Sequence, residues 1–389
     1  MKYDFDKLTD RRNTNSVKWD EDTDSEIIPM WVADMDFEVA KPITDALHRR
    51  IDHAIFGYTL APDSYYQSII NWFSRRHGLN IEKEWIQPIT GVVPAVSCVI
   101  KAMTKPGDSV LILAPAYNGF FPAVRNNKCN AEMSPLIPVD DTYEIDFEDF
   151  EARAAKPEVK LFLLCSPHNP GGRVWRRDEL ERLNEICLRH NVVVASDEIH
   201  CEIVMPGYKH IPFMTLSKEA LDNCIMMASP TKGFNFAGLH IANIICNNPE
   251  WRKKIDRAIN DNEVCDLNAF GLVALQAAYD ESEDWLDAMC RYVYNNYLML
   301  KEFITKELPE LKVTRLEGTY LVWVDISKTG MSSVDLCEKM KNEGKVWMND
   351  GKMYGDPEPC QHIRINIACP NSRMMEGLKR MAEVIKPLL

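Results

Sequence analysis

Short apolar runs alternate with amphipathic stretches through the middle of the chain, and that alternation predicts strands separated by helices. Ser109–Leu113, Lys160–Cys165, Val192–Ser196 and Cys224–Ala228 are continuous runs, as expected for strands covered on both faces of a mainly parallel sheet. Between the second and third, RDELERLNEICLRH (Arg177 to His190) sets Leu180, Leu183, Ile186 and Cys187 on one helical stripe, and Asn191 follows as a stop. Ile241–Cys246 comes too soon after the fourth run for a crossover helix and predicts an antiparallel neighbour.

After about Asp280 the pattern changes. One long helix, Trp285–Leu308, precedes strands at Lys312–Arg315 and Thr319–Asp325, a helix from Ser333, a strand at Ile363–Ile367 and a closing helix. This predicts a large α/β domain over residues 46–284 and a smaller α+β domain from 285–389. Residues 1–45, polar and then IIPMWVADMDF, form an arm expected to wrap against the small domain or over the cleft.

Composition narrows the function classes. The 389 residues are 46% hydrophobic and 26% charged, enough for two packed domains. A net charge of −13 with no long basic run argues against nucleic acid or an anionic membrane as partner, leaving a small molecule. The start, MKYDFDKLTDRR, has no apolar segment, and no run approaches the ~20 residues that cross a bilayer, so a soluble cytoplasmic protein is expected. Twelve cysteines stand singly, without a CxxC pair or a His/Cys cluster at zinc spacing; buried thiols, no disulfides and no metal site are expected.

Chemistry concentrates at the ends of the predicted strands. Lys232, in ASPTKGFNFAGLH, follows the run Cys224–Ala228, and the carboxyl ends of strands are where open α/β sheets bind ligands. Asp197 follows the run Val192–Ser196, where a buried carboxylate needs a cationic partner. TGVVPA (Thr90–Ala95), APAYNGF (Ala114–Phe120), SPHNPGG (Ser166–Gly172) and SDEIHCE (Ser196–Glu202) collect further polar groups. Val92 and Val93 begin a helix after Gly91, so their backbone N–H groups and the helix dipole can hold a phosphate.

In order and type these five segments resemble the fold-type-I enzymes dependent on pyridoxal 5′-phosphate. With WVADMDF, FGYT and SDEIH, the resemblance is to the cystathionine β-lyase and C–S lyase branch of the class I/II aminotransferase superfamily, from about Trp31 to Arg364. It implies an aspartate-aminotransferase-like fold with a mixed, mostly parallel, seven-stranded sheet. It also implies that Lys232 forms an imine with the cofactor aldehyde and then acts as base on the substrate Cα. By the same resemblance Asp197 pairs with the pyridinium nitrogen, Tyr117 stacks on the ring, Asn169 and His200 face its phenolic oxygen, and Ser229 and Thr231 join Val92 and Val93 on the phosphate. His200 stands where many relatives carry a tyrosine. Relatives often have an arginine eight residues past the lysine; His240 stands there, and it is left out of the site. Tyr58 resembles the tyrosine that reaches a neighbouring subunit's phosphate, which implies a homodimer with shared sites. Arg364 resembles the arginine that binds the substrate carboxylate, with Asn169 as the second substrate-binding residue; Trp31 and Asp34 are placed near the substrate. The implied activity is C–S β-elimination from cystathionine or another cysteine S-conjugate. Transamination shares its first steps, and a binding protein acting through partners is the third reading.

Overall fold

A computed structural model describes residues 3–389; Met1 and Lys2, part of the expected arm, lie outside the described residues. After a two-residue strand β1 (Ile28–Pro29) the chain builds eight strands of one sheet: β2 (Ile86–Ile89), β3 (Ser109–Ala114), β4 (Asn130–Val139), β5 (Thr142–Ile145), β6 (Val159–Cys165), β7 (Val193–Asp197), β8 (Cys224–Ala228) and β9 (Ala242–Cys246). Their order is β2-β9-β8-β7-β6-β3-β4-β5. Strands β4, β3, β6, β7 and β8 are parallel neighbours. As expected, β9 runs antiparallel to β8, and it pairs likewise with β2. Seven strands match the implied sheet; β5 adds an eighth, antiparallel to β4, because the chain turns back at Asp140, whose φ is 51°.

Both faces of this sheet are covered, which is why its central strands are apolar throughout. Leu111, Phe162, Leu164, Val194 and Met226 pack into one core. Val110, Ile112, Leu161, Leu163, Ala195, Ile225 and Met227 point the other way, against the helix Val92–Met103 and the helix Pro249–Asp261.

The C-terminal strands are β10 (Lys312–Val313), β11 (Leu321–Asp325), β12 (Val346–Trp347), β13 (Asn349–Asp350) and β14 (His362–Asn366). Four of them form an antiparallel sheet, β10-β11-β14-β13, beside the long helix Glu283–Glu307 and the closing helix Asn371–Ile385. The expected strand at Thr319 starts only at Leu321. Thr319 has a φ of 69°, and a Cβ on Gly318 would stand 2.9 Å from both Pro167 and Val174, so the chain makes a tight corner there.

The arm lies against the C-terminal strands and reaches the cleft. β1 pairs in parallel with β12, and the Asn366 side chain donates to the carbonyls of Val32 (2.5 Å) and Asp34 (2.6 Å), holding Trp31–Asp34 against β14. Buried Asp36 anchors the segment through Arg11 (2.8 Å), Lys18 (3.2 Å) and Arg373 (3.2 Å). Burial alone would raise its pKa; Lys18, the Trp19 indole, Arg373 and Arg11 together hold it below the usual carboxylate value. No helix among the described residues is long and apolar enough to cross a membrane.

Candidate active site

Parallel strands end on the same edge, so the loops after β6, β7 and β8 converge. Asp197 is the last residue of β7, Asn169 lies in the loop after β6, and Lys232 lies in the loop after β8. The arm and β14 close the cleft from the other side.

Lys232 donates from Nζ to the Ala33 carbonyl at 2.5 Å, and the Tyr320 hydroxyl donates to the same carbonyl at 2.9 Å. Burial pushes the amine down to about 8; Asp34 and Asp197 pull it up, and Arg364 pushes it further down. It is therefore a base that exchanges its proton near neutrality.

Asp197 is buried and accepts one backbone hydrogen bond, from Ile199 N–H at 3.1 Å. No cation pairs with it among the described residues. Burial pushes its carboxyl up to about 7; the Ile199 N–H opposes this, Glu198 adds to it, and Lys232 opposes it too. A carboxylate so placed is incomplete: it calls for a cation at its free edge.

His200, buried, has no partner for Nδ1 among the described residues. Burial, then the charges of Lys232 and Arg364, push its pKa down to about 3, so it is neutral, with one donor and one acceptor nitrogen. Burial raises the Tyr117 hydroxyl to about 12, with Asp197 adding and Arg364 opposing, which sets these three in one region.

Arg364 spans the cleft. Nη1 donates to Asn169 Oδ1 at 3.2 Å, Nη2 donates to the Trp31 carbonyl at 2.7 Å, and the guanidinium lies 4.8 Å from the centre of the Tyr354 ring. Its Nε is buried without a partner among the described residues. The Trp31 ring itself turns aside and stacks on Trp347 at 4.2 Å.

The helix Val92–Met103 starts at Gly91, which supplies no side-chain cap, so the N–H groups of its first turn face the strand-end edge uncapped. Val92 is buried, while the Val93 side chain is half exposed. Ser229 Oγ donates to the Ile241 carbonyl (2.6 Å) and lies 2.8 Å from Thr231 Oγ1, a pair of buried hydroxyls in the same loop as Lys232. Tyr58 is not brought to this cleft: it is 98% exposed, in a stretch where Phe56 and Leu60 are exposed too. His240, at φ 49°, is exposed. The Ala33 carbonyl, Tyr320 and Tyr354 were not among the expected site groups. A backbone carbonyl carries no residue signal, and buried tyrosines read as core.

Fold and cleft together define a class of protein. The family described as aminotransferase class I and II matches residues 26–381, and the chain belongs to it. Among curated relatives, the cystathionine beta-lyase PatB of Bacillus subtilis (strain 168) is 40% identical over 381 residues, covering 97% of this chain and 98% of that protein. Among crystal structures, cystalysin from Treponema denticola, which contains a pyridoxal 5′-phosphate cofactor, superposes with a TM-score of 0.96 at 34% identity and full coverage of both chains. The PLP-bound C–S lyase from Staphylococcus hominis gives 0.90 at 33% identity, covering 98% of each chain.

Proposed function

We propose that this protein is a pyridoxal 5′-phosphate-dependent C–S β-lyase that cleaves L-cystathionine or a related cysteine S-conjugate to a thiol, pyruvate and ammonia. The observation that carries the reading is a buried carboxylate without a cation, Asp197, in one cleft with an amine of lowered pKa, Lys232, and a clamping guanidinium, Arg364. Such a set fits the cofactor: a pyridinium supplies the charge that Asp197 lacks, an aldehyde suits Lys232, and a phosphate suits the uncapped helix start at Val92 and Val93.

When bound, the cofactor supplies an electron sink for the charge left on the substrate Cα. Asp197 would keep the ring nitrogen protonated. Asn169 and neutral His200 would hold the phenolic oxygen, Tyr117 would cover the ring, and Ser229 and Thr231 would add hydroxyls for the phosphate. Arg364 takes the substrate carboxylate through its planar fork, with Asn169 and Tyr354 fixing the fork's plane. Lys232 Nζ, held by the Ala33 carbonyl, accepts the Cα proton, and the sulfur leaves from Cβ.

Tyr58 serves the neighbouring subunit of a homodimer. An exposed apolar run supports this: Ile55 (67% exposed), Phe56, Tyr58 and Leu60 (89%) would otherwise face water. The large domain takes residues 46–284, and the arm and residues 285–389 make the small one. Twelve free cysteines, with only Cys265 exposed, suit a reducing cytoplasm.

The test is incubation of the purified protein with L-cystathionine and, in parallel, with an amino acid plus a 2-oxo acid. Release of thiol with pyruvate is expected. Amino exchange without thiol would establish the aminotransferase reading instead, and silence in both would overturn the assignment.

A further inference from the structure

A second group of chemically active side chains lies beyond the turn that follows β7. His77, Cys201 and Glu202 each present a ligand-type atom, and these atoms lie within 4.8 Å of one another. His77 Nε2 is 2.9 Å from Glu202 Oε1, and Cys201 Sγ is 3.4 Å from the same oxygen. A tetrahedral zinc with bonds of about 2.0–2.3 Å has edges of roughly 3.3–3.8 Å. Two of the three donor spacings, 2.9 Å and 3.4 Å, lie close to such an edge, and the third is within 4.8 Å.

His210 stands beside this cluster on the wall of the same cavity. It is buried, and its ring centroid lies 5.7 Å from that of His77 at an interplanar angle of 85°. Its Nε2 is 2.8 Å from Glu198 Oε2. Glu198 also accepts from the Ser196 hydroxyl (2.8 Å) and the Phe213 N–H (3.0 Å), so it is fixed as a carboxylate acceptor. The ring therefore donates from Nε2 and leaves a lone pair on Nδ1, which is buried with no partner among the described residues. A histidine oriented by a carboxylate through one nitrogen, with the other left free, is how metal-binding histidines are held. These residues line a cavity of about 340 Å³, together with Arg76, Tyr208 and Asp287.

Charge decides whether a cation could enter. Arg76 is the nearest opposing group, and it is matched by three carboxylates: Glu202 (3.2 Å), Glu283 (2.9 Å) and Asp287 (2.7 Å). Lys209 and Arg291 also line the cavity, but both side chains are exposed. Glu283 and Asp287 are partly exposed like Lys209 and Arg291, so the buried negative charge that meets a dication is that of Glu202, joined by the thiolate that forms when the metal displaces the Cys201 proton.

We propose that His77, Cys201 and Glu202, with His210 beside them on the cavity wall, form a binding site for a zinc-like divalent cation, separate from the cofactor cleft. On binding, a metal–sulfur bond forms as the Cys201 S–H bond breaks and its proton passes to solvent; nothing is oxidised or reduced. Trp72 Nε1, 2.6 Å from Glu202 Oε1, and Arg76 retain the carboxylate while His77 and Cys201 turn toward the metal. A cation here would pin the turn that carries His200, one residue before Cys201.

The experiment is equilibrium dialysis of the holoenzyme against Zn2+ with metal analysis, paired with Co2+ titration read in the red d–d bands, where the yellow cofactor does not absorb. One equivalent per chain is expected. Cys201→Ser and His77→Gln, each checked by circular dichroism and cofactor absorbance, should each weaken binding by about 100-fold, since even outer-shell changes cost ~10–100-fold. Wild-type protein that takes up no zinc would overturn the proposal. So would uptake that both folded variants retain, because the metal would then be held elsewhere.

Discussion

Replacing Asp197 by asparagine gives a direct reading of the strain stored beneath the cofactor. In the apo-protein the carboxyl is raised from its ordinary value of 3.8 to about 7, burial being the main cause. At about 1.4 kcal/mol per pH unit, keeping the ionised form buried costs the folded apo-protein about 4 kcal/mol. The sign follows from which state loses its proton first. Between pH 4 and pH 7, roughly, the unfolded chain has ionised and the folded one has not, so apo-protein stability falls as pH rises through that window. The amide that D197N puts there cannot ionise. The D197N apo-protein should match wild type near pH 4 and exceed it increasingly up to pH 7, by as much as about 4 kcal/mol. Urea denaturation of both apo-proteins across this range, followed by tryptophan fluorescence, provides the measurement. In the holoenzyme the order should reverse, because the pyridinium loses its counter-charge, and turnover should collapse. Equal pH slopes for the two apo-proteins would refute the idea that Asp197 is an uncompensated buried acid.

Other consequences are independent of that one. Arg364→Ala should raise KM for L-cystathionine by about 10–100-fold, the worth of a charged hydrogen-bonded pair, with a smaller change in kcat; an unchanged KM in steady-state kinetics would place the carboxylate elsewhere. Since burial brings the Lys232 amine down to about 8, the neutral fraction should grow roughly tenfold from pH 7 to pH 9. Reuptake of pyridoxal phosphate by apo-protein, read by absorbance, should accelerate in step, and a flat profile would contradict it. Gly318→Ala would set a methyl 2.9 Å from Pro167 and Val174, and should cost ~1–3 kcal/mol, seen as a lower Tm.

The sequence was most legible where burial is uniform. Cys224–Ala228 is a strand over the expected residues, and Ser109–Leu113 is longer by Ala114 alone. Strands at the sheet edge or next to it escaped notice because their residues do not look like strands. β2 contains Gln87 and Pro88, and β4 contains Pro135 and Pro138 with six of its ten positions exposed. In the cleft, Lys232 and Asp197 were legible because each follows an apolar run. Arg364 was not: only resemblance distinguished it from a surface strand arginine, and its clamp on Asn169 crosses between elements 195 positions apart. The His77–Glu202 pairing spans 125 positions, so no local spacing rule could reveal it.

The proposed mechanism turns on Lys232 as the base at the substrate Cα. The measurement that tests it most directly is the rate of thiol release from L-cystathionine by Lys232→Ala protein reconstituted with pyridoxal phosphate. Loss of a positioned base predicts a fall in kcat of about 100- to 10,000-fold. Turnover within a few-fold of wild type would contradict it.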